Sequence, residues 1–237
     1  MFTESNRYGV SSKASSRDEG LRQYMIAVYR YMSLALLFTA VVAFMTANSQ
    51  SLMTMLFTTP LRYVVMFAPL IAVIWLNGKM GSMSLGEAQM GFWVFAGLMG
   101  ISLSYIFVAY TGISIARTFL VSASVFGVMS IYGQVTKRDL TSMGAFMVMG
   151  LWGIIIAGIV NIFMQSAMVE FVTSVLGVII FTGLTAYDTQ RIKDNYYYNS
   201  SSYGDGAARI AILGALSLYL DFINLFVSLL RLFGNRR

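Results

Sequence analysis

The sequence predicts an all-α membrane protein with seven transmembrane helices, and three observations carry that expectation. Hydrophobic residues make up 57% of the chain and charged residues only 11%, where soluble domains carry about 25% charged residues. The mean hydropathy is +0.71. The apolar residues also gather into seven segments of about 16 to 25 residues, the length that crosses a hydrocarbon core as a helix. None of the seven alternates with the period of two that a barrel strand requires.

The first 25 residues are polar and rich in Ser and basic side chains. They lack an apolar stretch followed by a small-residue cleavage site, so they read as a mobile cytoplasmic tail rather than a signal peptide. Residues 26–237 read as one transmembrane domain. Its apolar segments are Tyr31–Ala47, Leu61–Leu76, Met90–Tyr110, Ile113–Tyr132, Thr141–Phe163, Val169–Tyr187 and Ala208–Leu232. Pro60 suits the entry to the second segment and Pro69 falls inside it. Glycines recur in the third segment (Gly91, Gly97, Gly100) and the fifth (Gly144, Gly150, Gly153, Gly158), where they allow helix backbones to approach closely. The stretch Tyr196–Gly206 reads as a loop, with its tyrosines at the headgroup level.

Charge orients the chain. With the N-terminus inside, eleven of the sixteen Lys and Arg residues fall on the inner side, which favours a cytoplasmic N-terminus and, with seven spans, an external C-terminus. The basic end Arg231, Arg236 and Arg237 pulls the other way and would suit a seventh segment that re-enters. The net charge of +6 sits at segment ends and does not indicate a nucleic-acid partner. The chain has no Cys and no His. Disulfides, thiol chemistry, Ser-His triads and zinc sites of the usual ligand type are thereby excluded.

Two carboxylates stand apart. Asp221 lies near the middle of the seventh segment, where a charge costs at least a few kcal/mol and marks a functional site by default. Ser217, Asn224 and Ser228 lie four residues before it and three and seven after it, which places all four on one face of an otherwise apolar helix. A packing seam of hydroxyls explains the Ser and Asn residues less expensively, but explains an ionisable group poorly. Asp188 closes the sixth segment, with Arg191 one turn on as an ordinary ion-pair partner. The two aspartates fall about 10 Å and about 20 Å from the inner turn at 1.5 Å per residue. A staggered start or a modest tilt of two antiparallel neighbours would therefore bring them together. Paired carboxylates in a low dielectric cannot both ionise easily and share a proton, which makes them a proton-controlled switch and, once ionised, a cation-attracting site.

Three blocks make the chain recognisable. They are Thr136-Lys-Arg-Asp-Leu-Thr-Ser-Met-Gly144 with the following Met149–Phe163, then Gly183-Leu-Thr-Ala-Tyr-Asp-Thr-Gln-Arg-Ile-Lys193, then Ser217-Leu-Tyr-Leu-Asp-Phe-Ile-Asn-Leu-Phe226. From about Tyr24 to Gly234 the chain resembles the Bax inhibitor-1 family, also called the transmembrane Bax inhibitor motif family, in its bacterial branch. The resemblance implies a seven-helix fold with the C-terminal helix central, surrounded by the other six. It also implies a bacterial inner-membrane location and a proton-sensitive calcium leak governed by two aspartates that match Asp188 and Asp221. Some bacterial members carry an arginine at the inner end of the second helix that pairs with the sixth-helix aspartate, and a glutamate within that second helix. Here that end reads Ile74-Trp-Leu-Asn-Gly-Lys-Met80, without either residue, which leaves Arg191 and Lys79 as candidates for the basic partner.

The expected function is thus a pH-sensitive calcium leak channel or proton-linked cation transporter, not an enzyme. Its partners are calcium ions, protons and the lipid bilayer, and it needs no cofactor. Asp188 and Asp221 would hold calcium only weakly and transiently. Calcium takes six to eight oxygens, and two carboxylates with Asn224 and a few hydroxyls need water to complete the shell. The alternative is a non-transporting regulator that binds other membrane proteins, as a modulator of cell death or membrane proteolysis. An intramembrane aspartyl protease is disfavoured, because Asp221 lies in Tyr-Leu-Asp-Phe and not in Gly-x-Gly-Asp. Topology is directly testable, since introduced cysteines have no native competitor. A Cys at Ser201 is expected to resist a membrane-impermeant maleimide applied to intact cells; labelling there would reverse the assigned orientation.

Overall fold

The computed structural model describes residues 4–79, 81–198 and 205–237, with side chains described for residues 19–79, 81–197 and 206–237. In chain order the helices are α1 (Glu4–Asn48), α2 (Gln50–Thr58), α3 (Leu61–Lys79), α4 (Leu85–Leu103), α5 (Tyr105–Ala109), α6 (Gly112–Val135), α7 (Thr141–Met164), α8 (Ala167–Tyr198) and α9 (Asp205–Phe233). Seven stretches among the described residues are long and apolar enough to cross a membrane, in the places the sequence predicts. α4 and α5 together form the third, and the short α2 precedes the second.

Local sequence explains the helix ends. Ser84 and Glu87 form a reciprocal capping box at the start of α4, which satisfies two of the N–H groups a helix start leaves open. The Thr111 hydroxyl accepts from the Ser114 N–H at the start of α6, and the Asp139 carboxylate accepts from the Thr141 N–H, 2.9 Å away, at the start of α7. Hydrogen bonds from the Thr141 hydroxyl and the Thr141 N–H hold the exposed Asp139 carboxyl below its ordinary range. Pro69 lies within α3. The break between α4 and α5 falls at the fully buried Ser104, whose hydroxyl donates back to the Ile101 carbonyl at 2.7 Å.

α1 runs on through residue 25, Tyr24 and Met25 are buried, and the Tyr24 ring lies 5.3 Å from that of Tyr196. Residues 1–3 and the side chains up to residue 18 lie outside the described residues. The loop expected at 196–206 is shorter than expected: α8 runs on to Tyr198 and α9 begins at Asp205, with 199–204 outside the described residues.

α9 is the axis of the bundle. Buried residues make up 67% of its apolar window, against 28% or less in each of the other six spans and 0% in α7. It packs principally against α1, α4, α6 and α8, while α3 packs on α4 and α7 on α8. The central helix is therefore walled directly by four helices, not six, with α3 and α7 outside them. Its core contacts are aromatic. Tyr219 meets Phe92 and Phe95 of α4 edge-on, and Phe222 meets Phe119 and Phe126 of α6.

The last residues settle how α9 ends. The Thr111 N–H donates to the Asn235 carbonyl, the Arg237 N–H to the Ala109 carbonyl, the Asn235 N–H to the Ser114 hydroxyl, and Arg236 pairs with Glu170 at 2.6 Å. These partners lie at the α5–α6 turn and the start of α8, the end of the bundle opposite Tyr24 and Tyr196. α9 thus runs from one end of the bundle to the other and does not fold back within it.

Close backbone approach explains part of the glycine pattern. A Cβ at Gly133 of α6 would strike the Ala186 carbonyl of α8, one at Gly144 would strike the Tyr187 ring, and one at Gly100 would lie 2.8 Å from the Thr39 carbonyl. Gly153 and Gly158, by contrast, face open space, so the packing reading holds only for some glycines of α7. Gly133→Val is accordingly expected to lower stability by about 1–3 kcal/mol through overpacking. Gly158→Ala should be neutral or stabilising by up to about 1 kcal/mol. Thermal unfolding of the two variants in the same detergent separates them.

Candidate functional site

The site lies on the interface of α8 and α9, and one antiparallel register builds it. Gly177 faces Ser228, whose hydroxyl would lie 2.5 Å from a Cβ there. Arg191 reaches Ser217, and Ile192 fills the space left by Gly214. Numbers rise on one helix as they fall on the other over about four turns. That register brings Asp188 and Asp221 within electrostatic range of each other, and both are buried, at 9% and 5% exposure. α9 begins about one turn beyond the level at which α8 ends, which supplies the staggered start that the sequence required.

Arg191 is the cation of this site. Its guanidinium lies 3.6 Å from an Asp188 carboxylate oxygen, donates to the Ser217 hydroxyl at 3.3 Å, stacks over the Tyr187 ring at 5.7 Å, and also acts electrostatically on Asp221. It is half exposed while the carboxylate it pairs with is nearly covered. It therefore ties α8 to α9 from the rim of the pair rather than neutralising both acids. The Oδ2 atom of Asp221 is buried without a hydrogen-bond partner among the described residues. A lone oxygen of this kind is costly in a low dielectric unless it carries or shares a proton, or meets a cation.

The other expected site residues divide. Ser217 joins the site through Arg191. Asn224 donates to the Leu220 carbonyl of its own helix at 2.8 Å and is half-buried, and Ser228 serves the close packing against Gly177. Lys79, at the last residue of α3, is exposed and forms no ion pair with either aspartate among the described residues. Of the two basic candidates, Arg191 is the one positioned at the pair. No group of three or more acidic side chains is assembled among the described residues, so the two carboxylates stand as a pair.

The segment from Ala186 to Lys193 ties α8 to nearly every neighbour in about two turns. The Ala186 carbonyl lies against Gly133 and Tyr187 against Gly144. Asp188 lies within electrostatic range of Asp221, and the Thr189 hydroxyl lies 3.2 Å from that of Ser130. Gln190 pins the α6–α7 loop, accepting from the Leu140 N–H and donating to the Arg138 carbonyl, both at 2.8 Å. Lys193 donates to the Gln134 carbonyl at 2.8 Å. The block that stood out in the sequence is thus the junction of α6, α7, α8 and α9. A model of the family described as inhibitor of apoptosis-promoting Bax1 matches residues 21–237, from the packed part of α1 to the last residue.

The chain belongs to the Bax inhibitor-1 family. The protein RP147 of Rickettsia prowazekii is 50% identical over 227 residues, covering 96% of this chain and 95% of its own. The inner membrane protein YbhL of Escherichia coli K12 is 45% identical over 219 residues, covering 92% and 94%. A Caulobacter vibrioides protein is 42% identical over 234 residues, covering 94% and 92%. In this Bax inhibitor-1 family member two of the three blocks that stood out in the sequence, Gly183–Lys193 and Ser217–Phe226, form the α8–α9 junction.

Sequence reasoning missed a second polar contact on α9. Tyr219 is fully buried and its hydroxyl lies 2.7 Å from that of Thr39 on α1. The Thr39 hydroxyl donates to the Ala96 carbonyl of α4 at 2.9 Å, so Tyr219 is the donor between them, and one chain of bonds joins α9, α1 and α4. The available signal was a Tyr two residues before Asp221, on the face opposite the polar stripe. Tyr219→Phe removes the donor but leaves the Thr39–Ala96 bond, and is expected to cost about 1 kcal/mol. Chemical or thermal unfolding in detergent measures it; an unchanged midpoint would mean the chain of bonds is incidental.

Proposed function

We propose that this protein is a proton-sensitive cation leak for calcium in a bacterial inner membrane, with Asp188 and Asp221 as its sensor and the narrowest part of its ion path. The observation that carries this reading is the burial of two carboxylates in one interface, between the central helix and α8 and within electrostatic range of each other, with a guanidinium at the rim. The name of the Escherichia coli relative, an inner membrane protein, supports the location, and the basic bias of the sequence supports a cytoplasmic N-terminus.

With one proton between them, the carboxyl groups bridge α8 and α9 and hold the interface closed. Without it, two negative charges face each other, and the interface either loosens or admits a cation. Arg191 competes for the same charges. Its side chain is the movable element, since its guanidinium is half exposed and its stem starts from the same helix as Asp188. Calcium is the cargo, held briefly by the two carboxylates with water completing its shell, which suits conduction better than a tight site.

The test is calcium flux into liposomes of purified protein across a pH series. Asp188→Asn and Asp221→Asn are each expected to remove most of the pH response, because an amide bridges but does not titrate, and Asp221→Asn is also expected to reduce flux itself. The double variant should be little worse than either single one, as for residues that act as a unit. Arg191→Gln should keep a pH response with a shifted midpoint. Additive effects of the two aspartate substitutions would rule out a paired sensor. No flux from folded wild-type protein at any pH would rule out the leak and leave a regulator that binds other membrane proteins.

A further inference from the structure

A groove between α1 and α6 lies away from the aspartate pair, and its lining changes character along its length. At the end of the bundle that holds Tyr24 and Tyr196, a cavity of about 570 Å³ is lined by Arg22, Tyr29, Gln134 and Lys193 among others. A second cavity, of about 550 Å³, shares Tyr29 and Gln134 with the first and continues between Leu36, Gly127 and Phe222. A third, of about 90 Å³, shares Leu36, Phe119 and Phe222 with the second and reaches Ala43. Along α1 the run from Arg22 to Ala43 is about 30 Å at 1.5 Å per residue.

Charge and polarity are graded in one direction. Arg22 and Lys193 supply two cations at the mouth, and no acidic side chain lines any of the three cavities. Arg22 pairs with Glu19 at 3.7 Å, but both side chains are mostly exposed, and such a pair is weak. Lys193 donates to a backbone carbonyl and forms no ion pair among the described residues. Next comes a polar neck, in which Gln134 donates to the Tyr29 hydroxyl at 2.8 Å and that hydroxyl bonds to Ser130. Beyond the neck the lining is almost wholly apolar, and from Tyr29 to Ala43 it runs about 21 Å, somewhat more than half of a hydrocarbon core. Gly127 borders open space in this groove, for a Cβ there would meet nothing within 4 Å.

We propose that this groove binds one anionic phospholipid, with its phosphate between Arg22 and Lys193, its ester groups at the Tyr29–Gln134 neck, and an acyl chain along α6 against Phe222 of the central helix. A lipid merely adjacent to the protein would need neither the paired cations nor a groove whose lining turns from basic to polar to apolar. Phospholipids of the cytoplasmic leaflet supply negative charge at the level where the basic bias places these residues.

Delipidated full-length protein in detergent is titrated with dioleoyl phosphatidylglycerol, with dioleoyl phosphatidylcholine and with inorganic phosphate, and bound lipid is counted by native mass spectrometry. The expected result is one tightly held phosphatidylglycerol, bound about tenfold or more better than phosphatidylcholine, consistent with two interfacial cations. The double variant Arg22→Gln/Lys193→Gln should erase that preference. Gly127→Leu, which fills the channel, should weaken binding of both lipids while leaving thermal unfolding of the lipid-free protein unchanged. If that variant does not fold, Ala123→Leu, one turn away on the same wall, takes its place. Equal binding of the two lipids by wild-type protein would overturn the proposal, as would full phosphatidylglycerol binding by a folded, channel-filled variant. Inorganic phosphate binding as tightly as phosphatidylglycerol would also overturn it, since the site would then be one for a free anion.

Discussion

A carboxylate in the middle of a membrane-spanning helix constrains everything around it. Asp221 cannot face lipid, because the cost of exposing it there is comparable to a large part of a domain's net stability. The helix that bears it must then be enclosed, and α9 is the most buried span of the seven. Its four direct neighbours follow from that enclosure, and α3 and α7 form an outer layer whose residues are mostly exposed to lipid. The fold is in this sense arranged around one expensive side chain.

Enclosure alone does not satisfy Asp221, and the structure meets the remaining demand with α8. The antiparallel register from Gly177–Ser228 to Ile192–Gly214 is set by small residues facing larger ones, the usual way helices approach closely without a hydrophobic drive between them. That register puts a second carboxylate opposite the first and a guanidinium one turn away. The same two turns of α8 also fasten α6, α7 and the α6–α7 loop through Ala186, Tyr187, Thr189 and Gln190. On the proposed function, a change in protonation between α8 and α9 would act at the junction where four helices meet. The Tyr219–Thr39–Ala96 chain holds the opposite side of α9 to α1 and α4.

The graded groove between α1 and α6 touches the same central helix at Phe222, next in sequence to Asp221 but turned to another side. Its occupant and the aspartate pair would thus press on α9 from different faces, one by packing and the other by charge. Both faces exist because α9 is walled by several helices, with none of them covering it entirely.

Composition and segment length alone determined that the chain is helical and membrane-spanning, since few other structures satisfy the backbone of so apolar a chain in lipid. Helical spacing alone put Ser217, Asp221, Asn224 and Ser228 on one face, and the cost of a charge in lipid marked Asp221. Only the tertiary structure decided what each does: Ser217 accepts from Arg191, Asn224 bonds within its own helix, and Ser228 fills the space opposite Gly177. It also placed Arg191, and not Lys79, beside Asp188, because reach depends on where α3 ends relative to α8 and spacing within one helix carries no such information. Tyr219 and the neck at Tyr29, Ser130 and Gln134 were invisible for the same reason, their partners lying about 60 to 180 residues away in the chain. Periodicity records which face of a helix is polar; which neighbour that face meets is fixed by the register between helices.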